Sequence, residues 1–145
     1  MLFDASQFKP TKLIDPRGYE TEVDFDEVGR PIATRREFGD GVIAETTTTY
    51  DAVGNPVSVT GPLGNTVSTI FDALDRPVTV SFPDGTTSST EYNALGQIWK
   101  TIDQLERETE TIYDSAGRPV RVKSPAVDDG SGNLVRAAVN TYYDA

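Results

Sequence analysis

The chain has no cysteine and no histidine among its 145 residues. That double absence removes thiol nucleophiles, Ser-His-Asp triads, thiolate redox chemistry and the usual zinc ligands in one step. It leaves the compartment open, because secreted proteins also exist without disulfides. Long apolar runs are missing too: nothing approaches the ~20 residues that span a bilayer, so no membrane insertion is expected. The opening "MLFDASQFKP" has neither a basic nor an apolar leader region, and any export signal is expected outside this chain. Basic residues are scarce, 13 against 23 acidic ones, for a net charge of −10. An acidic surface repels phosphate backbones, so nucleic acid is not an expected partner, and the charge serves solubility. A hydrophobic fraction of 37% is low for a compact core, whereas Gly (12), Pro (9), Thr and Ser are plentiful. That mixture suits short strands and tight turns, and no long stretch of helical period stands against it.

What is present is a repeat. "YDSAGRPVRV" at Tyr113 has close variants: "YDAVGNPVSV" at Tyr50, "FDALDRPVTV" at Phe71, "FDEVGRPIAT" at Phe25 and "YNALGQIWKT" at Tyr92. The aromatic returns at Tyr143, and "FDASQFKP" reads as a degraded copy beginning at Phe3. The middle intervals are 21 residues, three times running. Residues 1–145 therefore read as one array of about six units, starting near 3, 25, 50, 71, 92 and 113. A long loop insertion is expected at about 124–138.

Each unit carries two turn signals. The first is Asp51-Ala52-Val53-Gly54 and its equivalents, where Asp accepts hydrogen bonds from the turn backbone and Gly takes positive φ. A type I turn followed by a left-handed residue is a common way to join antiparallel strands. Asp75 stands in for the first-turn glycine, and Asp tolerates that conformation better than most. The second turn is Asp15-Pro16-Arg17-Gly18, with Pro62-Leu63-Gly64 and Pro83-Asp84-Gly85 as later versions. Asp103-Gln104-Leu105-Glu106 has lost both Pro and Gly, which predicts a looser or differently shaped turn. Between turns the pattern alternates, with Val78, Val80 and Phe82 on one face of a strand and Thr79 and Ser81 on the other. Thr48, Thr69, Thr90, Thr111 and Thr141 stand two residues before their aromatics, Val23 being the exception, which predicts a Thr ladder beside an aromatic ladder. The expected fold class is all-β: repetitive antiparallel hairpins stacked into a continuous, twisted sheet.

The full unit, Phe71-Asp72-x-x-x-Arg76-Pro77-Val78-x-Val80-x-x-Pro83-x-Gly85, followed by Tyr92, resembles the YD repeat of the Rhs family. "YDSAGRPV" and "YDAVGNPV" lie especially close to that signature. The resemblance covers essentially the whole chain in several in-phase copies. It implies a section of a long β-ribbon that spirals into a hollow shell, as in bacterial Rhs polymorphic toxins, insecticidal toxin complex shells, wall-associated bacterial proteins and teneurins. It also implies neighbouring YD repeats of a larger chain as partners, a toxin or other domain as cargo, and a secreted or cell-surface location. Sugar binding has been attributed to some members. Complete toxin shells carry an aspartyl self-cleavage site built from two DPxG-type segments. Here Asp15-Pro16-Arg17-Gly18 occurs once, in phase with an ordinary turn, so no self-cleavage is expected.

With no His or Cys, the remaining catalytic option is a carboxylate pair. The repeat-motif residues Phe25, Asp26, Gly29, Tyr50, Asp51, Gly54, Phe71, Asp72, Tyr92, Tyr113, Asp114 and Gly117 recur once per unit, which argues for structural use. Arg30, Arg76 and Arg118 are equally periodic and are expected to pair with an acidic side chain on the next repeat. Trp99 stands where a unit normally has Val and is the candidate for stacking on a sugar ring. Asp129, Ser131 and Asn133 have the alternating oxygens of a calcium loop, but Asn140 fills the twelfth position where an EF-hand needs Glu. A flexible hairpin loop is expected there. No catalytic residue, metal ligand set or cofactor motif is assigned, and no enzymatic activity is expected.

Size limits what the piece does alone. Twelve strands at ~4.8 Å give about 58 Å of sheet, which closes into a barrel about 24 Å across. A 100-residue cargo is about 34 Å across. The expected role is a structural section of a shell wall, with an extracellular adhesion or carbohydrate-binding module as the alternative. Unpaired terminal strands predict self-association of the isolated piece.

Overall fold

A computed structural model describes residues 11–38, 41–128 and 130–143. The copy beginning at Phe3 and the candidate ligand Asp129 lie outside them. Among the described residues there is no helix; twelve antiparallel strands follow in chain order without a crossover. The chain divides into two compact units, Met1–Thr69 and Ile70–Ala145.

The first unit holds β1 (Thr11–Ile14), β2 (Glu20–Phe25), β3 (Pro31–Glu37), β4 (Ile43–Tyr50), β5 (Pro56–Thr60) and most of β6 (Thr66–Phe71). The second holds β7 (Pro77–Ser81), β8 (Thr87–Tyr92), β9 (Ile98–Ile102), β10 (Glu108–Tyr113), β11 (Pro119–Asp128) and β12 (Leu134–Asn140). Proline opens β3, β5, β7 and β11, where a missing N–H interrupts the ladder least.

Both turn classes fold alike. Gly54 N–H donates to the Asp51 carbonyl and Asp51 N–H to the Asn55 carbonyl. The same pair of bonds closes the turns at Asp15, Gly61, Phe82 and Asp114. The fourth residue is left-handed each time, including Asp75 at φ 59°. The turn at Asp103 departs from expectation. It is neither looser nor different: Glu106 N–H donates to Asp103 at 2.9 Å, Asp103 N–H to Arg107 at 3.1 Å, and Glu106 sits at φ 58°. The Asp103 carboxylate, accepting from the N–H groups of Leu105 and Arg107, holds the shape without glycine.

The stretch 124–138 also departs from expectation. It is not a flexible loop but an extension of the hairpin: β11 runs on to Asp128, and β12 pairs back through Ala126↔Arg136 and Val127↔Val135. The register slips between Lys123 and Ala126, so the insertion is absorbed as a bulge. At its tip Asp128 Oδ1 accepts from the N–H groups of Gly130 and Gly132, the same side-chain cap moved to a new turn.

The two sheet faces carry different chemistry. On one, Thr and Val meet across strands: Thr48↔Val59↔Val67 in the first unit, Thr90↔Thr101↔Thr109 and Thr111↔Val122↔Val139 in the second. On the other, charges alternate in sign: Lys12↔Glu22↔Arg35↔Glu45, and Glu91↔Lys100↔Glu110↔Lys123. Arg35 reaches Asp24 at 2.6 Å and Glu45 at 2.8 Å. Lys123 is paired with Glu110, and Lys100 lies 3.0 Å from Glu108. A slip of one residue would move each row to the opposite face, so the ladders help hold register. There is scarcely a core: among the described residues only Ala33 is buried, at 8% exposure.

Candidate functional site: a staple between repeats

Because the repeats bring equivalent residues to the same turn, the recurrent cluster is the place to look for function. It is clearest around Asp72. Oδ1 accepts from the N–H of Leu74 (2.8 Å) and of Arg76 (3.1 Å), which sets the turn. Oδ2 accepts from Nε (2.8 Å) and Nη2 (2.6 Å) of Arg76, a two-pronged pair that fixes the guanidinium plane. That plane lies 4.1 Å from the ring centroid of Tyr92 in the next repeat. The Tyr92 hydroxyl then donates back to the Pro77 carbonyl at 3.1 Å. One repeat's aspartate thus orients its arginine, the arginine covers the next repeat's tyrosine, and that tyrosine bonds the first repeat's backbone.

The circuit recurs. Asp26 holds Arg30 at 2.6 Å, Arg30 lies 4.6 Å from the Tyr50 ring, and Tyr50 donates to the Pro31 carbonyl at 2.9 Å. Arg30 Nη1 also reaches the Asp51 carbonyl at 3.3 Å. Asp114 holds Arg118, which lies 4.5 Å from the Tyr143 ring, and Tyr143 donates to the Pro119 carbonyl. Where arginine is replaced, neutral groups take over. Asn93 donates to Gln97 Oε1 at 2.9 Å, and Gln97 Nε2 donates to the Gly117 carbonyl of the next turn at 2.7 Å. Tyr113 still donates to the Ile98 carbonyl. Asn55 donates to Asp51 Oδ2 in the same way.

One expectation changes here. The periodic arginines pair with the aspartate of their own turn, not with an acid on the next repeat. Four residues of a tight turn bring the two side chains together, and across repeats the arginine meets a ring and a carbonyl instead. Tyr50, Tyr92 and Tyr143, correspondingly, each meet an arginine of the preceding repeat. A bulge, invisible in the sequence, sits beside four of the repeated aromatics. The register slips just before Phe25, Tyr50, Tyr92 and Tyr113, leaving Ile32, Val57, Trp99 and Val120 as the extra residues on the partner strands. Bulges re-aim side chains, and this one turns each tyrosine hydroxyl towards a carbonyl of the preceding repeat. Trp99 occupies the bulge opposite Tyr92, 37% exposed, with the Lys100 ammonium 5.8 Å from its ring.

The electrostatics match the geometry. The Arg76 guanidinium, ahead of the turn N–H groups, holds the Asp72 carboxyl below the usual carboxylate range, and Arg107 does so for Asp103. For Asp114 the Arg118 N–H leads. Desolvation pushes Asp26 up but is outweighed by the backbone and guanidinium donors of Arg30. Carboxyls held ionised in this way are poor proton donors. No cluster of acidic residues suited to a metal occurs among the described residues.

A non-helical array of capped hairpins, cross-linked from repeat to repeat, is the class this fold defines. Residues 50–87 match the RHS Repeat family model. The crystal structure of TcdB2-TccC3-Cdc42 has the same fold over 92% of the chain, with a TM-score of 0.73 and 13% identity. The Photorhabdus luminescens Tc holotoxin pore matches over 86%, at a TM-score of 0.59 and 16% identity. The chain spans about 8% of the length of either. No curated protein matches it significantly in sequence.

Proposed function

We propose that this chain is a non-enzymatic wall section of a larger Rhs-type β-shell, which encloses or scaffolds a toxin or another domain of a secreted or cell-surface protein. The observation that carries the reading is the single-layer sheet whose stability is spread over repeat-to-repeat staples. The chain exposes 10473 Å², where a compact monomer of 15.8 kDa exposes about 7,300 Å². So little buried surface suits a section whose faces and ends are completed by neighbouring repeats and enclosed material. Its partners are those neighbouring YD repeats. Limited proteolysis of the parent polypeptide tests this: a domain enclosed by the shell should resist cleavage until acid or denaturant opens the wall. Digestion at the rate of the free domain would overturn the proposal.

The carbohydrate reading has one observation in its favour, the half-open Trp99 ring at its bulge. Saturable binding on a glycan panel, lost in Trp99→Ala, would establish it; a blank panel would remove it.

A further inference from the structure

Among the described residues of the second unit, one base meets no acid. Lys100 lies 3.0 Å from Glu108, Lys123 is paired with Glu110, and Arg136 reaches Glu108 at 3.1 Å. Arg76, Arg107 and Arg118 are held by the aspartates of their own turns. Arg121 on β11 is the exception. Its cross-strand partners, Ile112 and Asn140, are uncharged, and no described acid lies within ion-pair distance of it. It lines a cleft of about 600 Å³ with Ile112, Val120, Asn140 and Tyr142, the last 89% exposed. Asp114, the acid in that lining, is already engaged by the N–H groups of Ala116 and Arg118 and by Arg118 Nε.

Asn140 brings the cleft to β12, which pairs with β11 alone. The Thr141 N–H donates to the Val120 carbonyl and so faces β11. By alternation, the N–H groups of Ala138 and Asn140 face outward, where a further strand would lie. An equivalent corner of the same unit shows how such a strand sits. Thr79, Ser89 and Glu91 line a cleft of about 450 Å³ beside Arg76 and Tyr92, at the positions that Arg121, Asn140 and Tyr142 fill here. There the next strand is in place: β9 sets Ile102 opposite Ser89 and Lys100 opposite Glu91. Charges on this face also meet across an intervening strand, since Arg136 on β12 passes over β11 to Glu108 on β10. A residue opposite Asn140 on a strand added to β12 stands likewise two strands from Arg121.

We propose that the free edge of β12 takes an extended segment that sets an acidic residue opposite Asn140, where it pairs with Arg121. The proposal rests on the wall reading and specifies which neighbouring strand the wall accepts at this edge. Charge complementarity names the occupant. A strand without the acid would shield the guanidinium from water and leave it unpaired, at a cost in free energy. A second copy does not supply the acid from its own described edges, because β1 reads TKLI and β12 reads LVRAAVN. The segment therefore belongs to another stretch of the parent polypeptide.

Two labelled peptides test this on the chain as it stands: Thr-Val-Thr-Val-Glu-Val-Thr-Val-Thr and its twin with Lys for Glu, titrated by fluorescence anisotropy. The ratio of Glu-peptide to Lys-peptide affinity should fall about fivefold or more in Arg121→Gln, the worth of an exposed ion pair. Comparing ratios between variants cancels the general pull of the −10 charge on Lys. Ala138→Pro removes an outward N–H and leaves the ladder to β11 whole. It should weaken the Glu peptide by about tenfold or more, with the far-UV spectrum unchanged. No binding of either peptide, a ratio indifferent to Arg121→Gln, or binding indifferent to Ala138→Pro would overturn the proposal. None of these results bears on the enclosure of a domain, which the proteolysis test decides.

Discussion

Gly117 and Gly85 occupy equivalent left-handed turn positions, at φ 79° and 83°, yet their surroundings differ. A methyl group added at Gly85 meets nothing within 4 Å, whereas at Gly117 it would stand 3.1 Å from Gln97 Nε2. Alanine at either position bears the left-handed penalty of about 1–2 kcal/mol. At Gly117 it must also push back the amide that donates to its own carbonyl at 2.7 Å. Losing that bond costs a further ~0.5–1.5 kcal/mol. Gly85→Ala should therefore cost about 1–2 kcal/mol and Gly117→Ala about 1.5–3.5 kcal/mol. In a Gln97→Ala background the gap should close, because the methyl group then has room and no bond remains to break. Urea unfolding followed by circular dichroism and by Trp99 fluorescence is the assay. The two probes must coincide for the differences to be read as free energies, since repeat arrays often unfold in steps. A gap that survives in Gln97→Ala would refute the account, and so would equal costs in the parent chain.

The staple itself is open to a double-mutant cycle on Arg76→Leu and Tyr92→Phe, Tyr92→Ala: coupling of about 0.5–1 kcal/mol is expected for the stacked ring, and none would dissolve the staple. Tyr92 is half-buried rather than enclosed, so Tyr92→Ala should cost less than the 3–5 kcal/mol of a core aromatic. Glu91→Ala, on the charged face and 48% exposed at its side chain, should cost under ~0.5 kcal/mol; the reverse order would invert the face assignment. Carboxylates with depressed folded pKa values contribute stability above their unfolded value, near 4, that is lost as pH falls. For Glu108, held at about 2 by Lys100 and then Arg136, the loss extends from about pH 4.5 to about 2. Glu108→Gln should flatten an acid titration of stability in that window, and an unchanged curve would contradict it. β12, exposed at every residue, should pair with another chain's edge. Light scattering should show association growing with salt as the −10 charge is screened; a monomer at all concentrations would mean the edge is capped.

Much of this molecule is legible residue by residue, because its determinants are local. Asp at the first turn position, Gly or Asp75 at the fourth and Pro at strand starts act within five residues, and alternation of Val with Thr and Ser sorts the faces without knowledge of a partner. What lay beyond local reading needed two strands at once. The bulges beside Tyr50, Tyr92 and Tyr113 exist only in the pairing of one strand with its neighbour. The sequence placed Arg76 and Tyr92 sixteen residues apart. Their contact at 4.1 Å depends on a turn that aims the guanidinium and a register that delivers the ring beneath it. By itself the sequence determined the brick: its turns, its alternation and its period. Tertiary structure decided how one brick grips the next, since a grip depends on distances between strands and on the register between them, and neither is written in either strand alone.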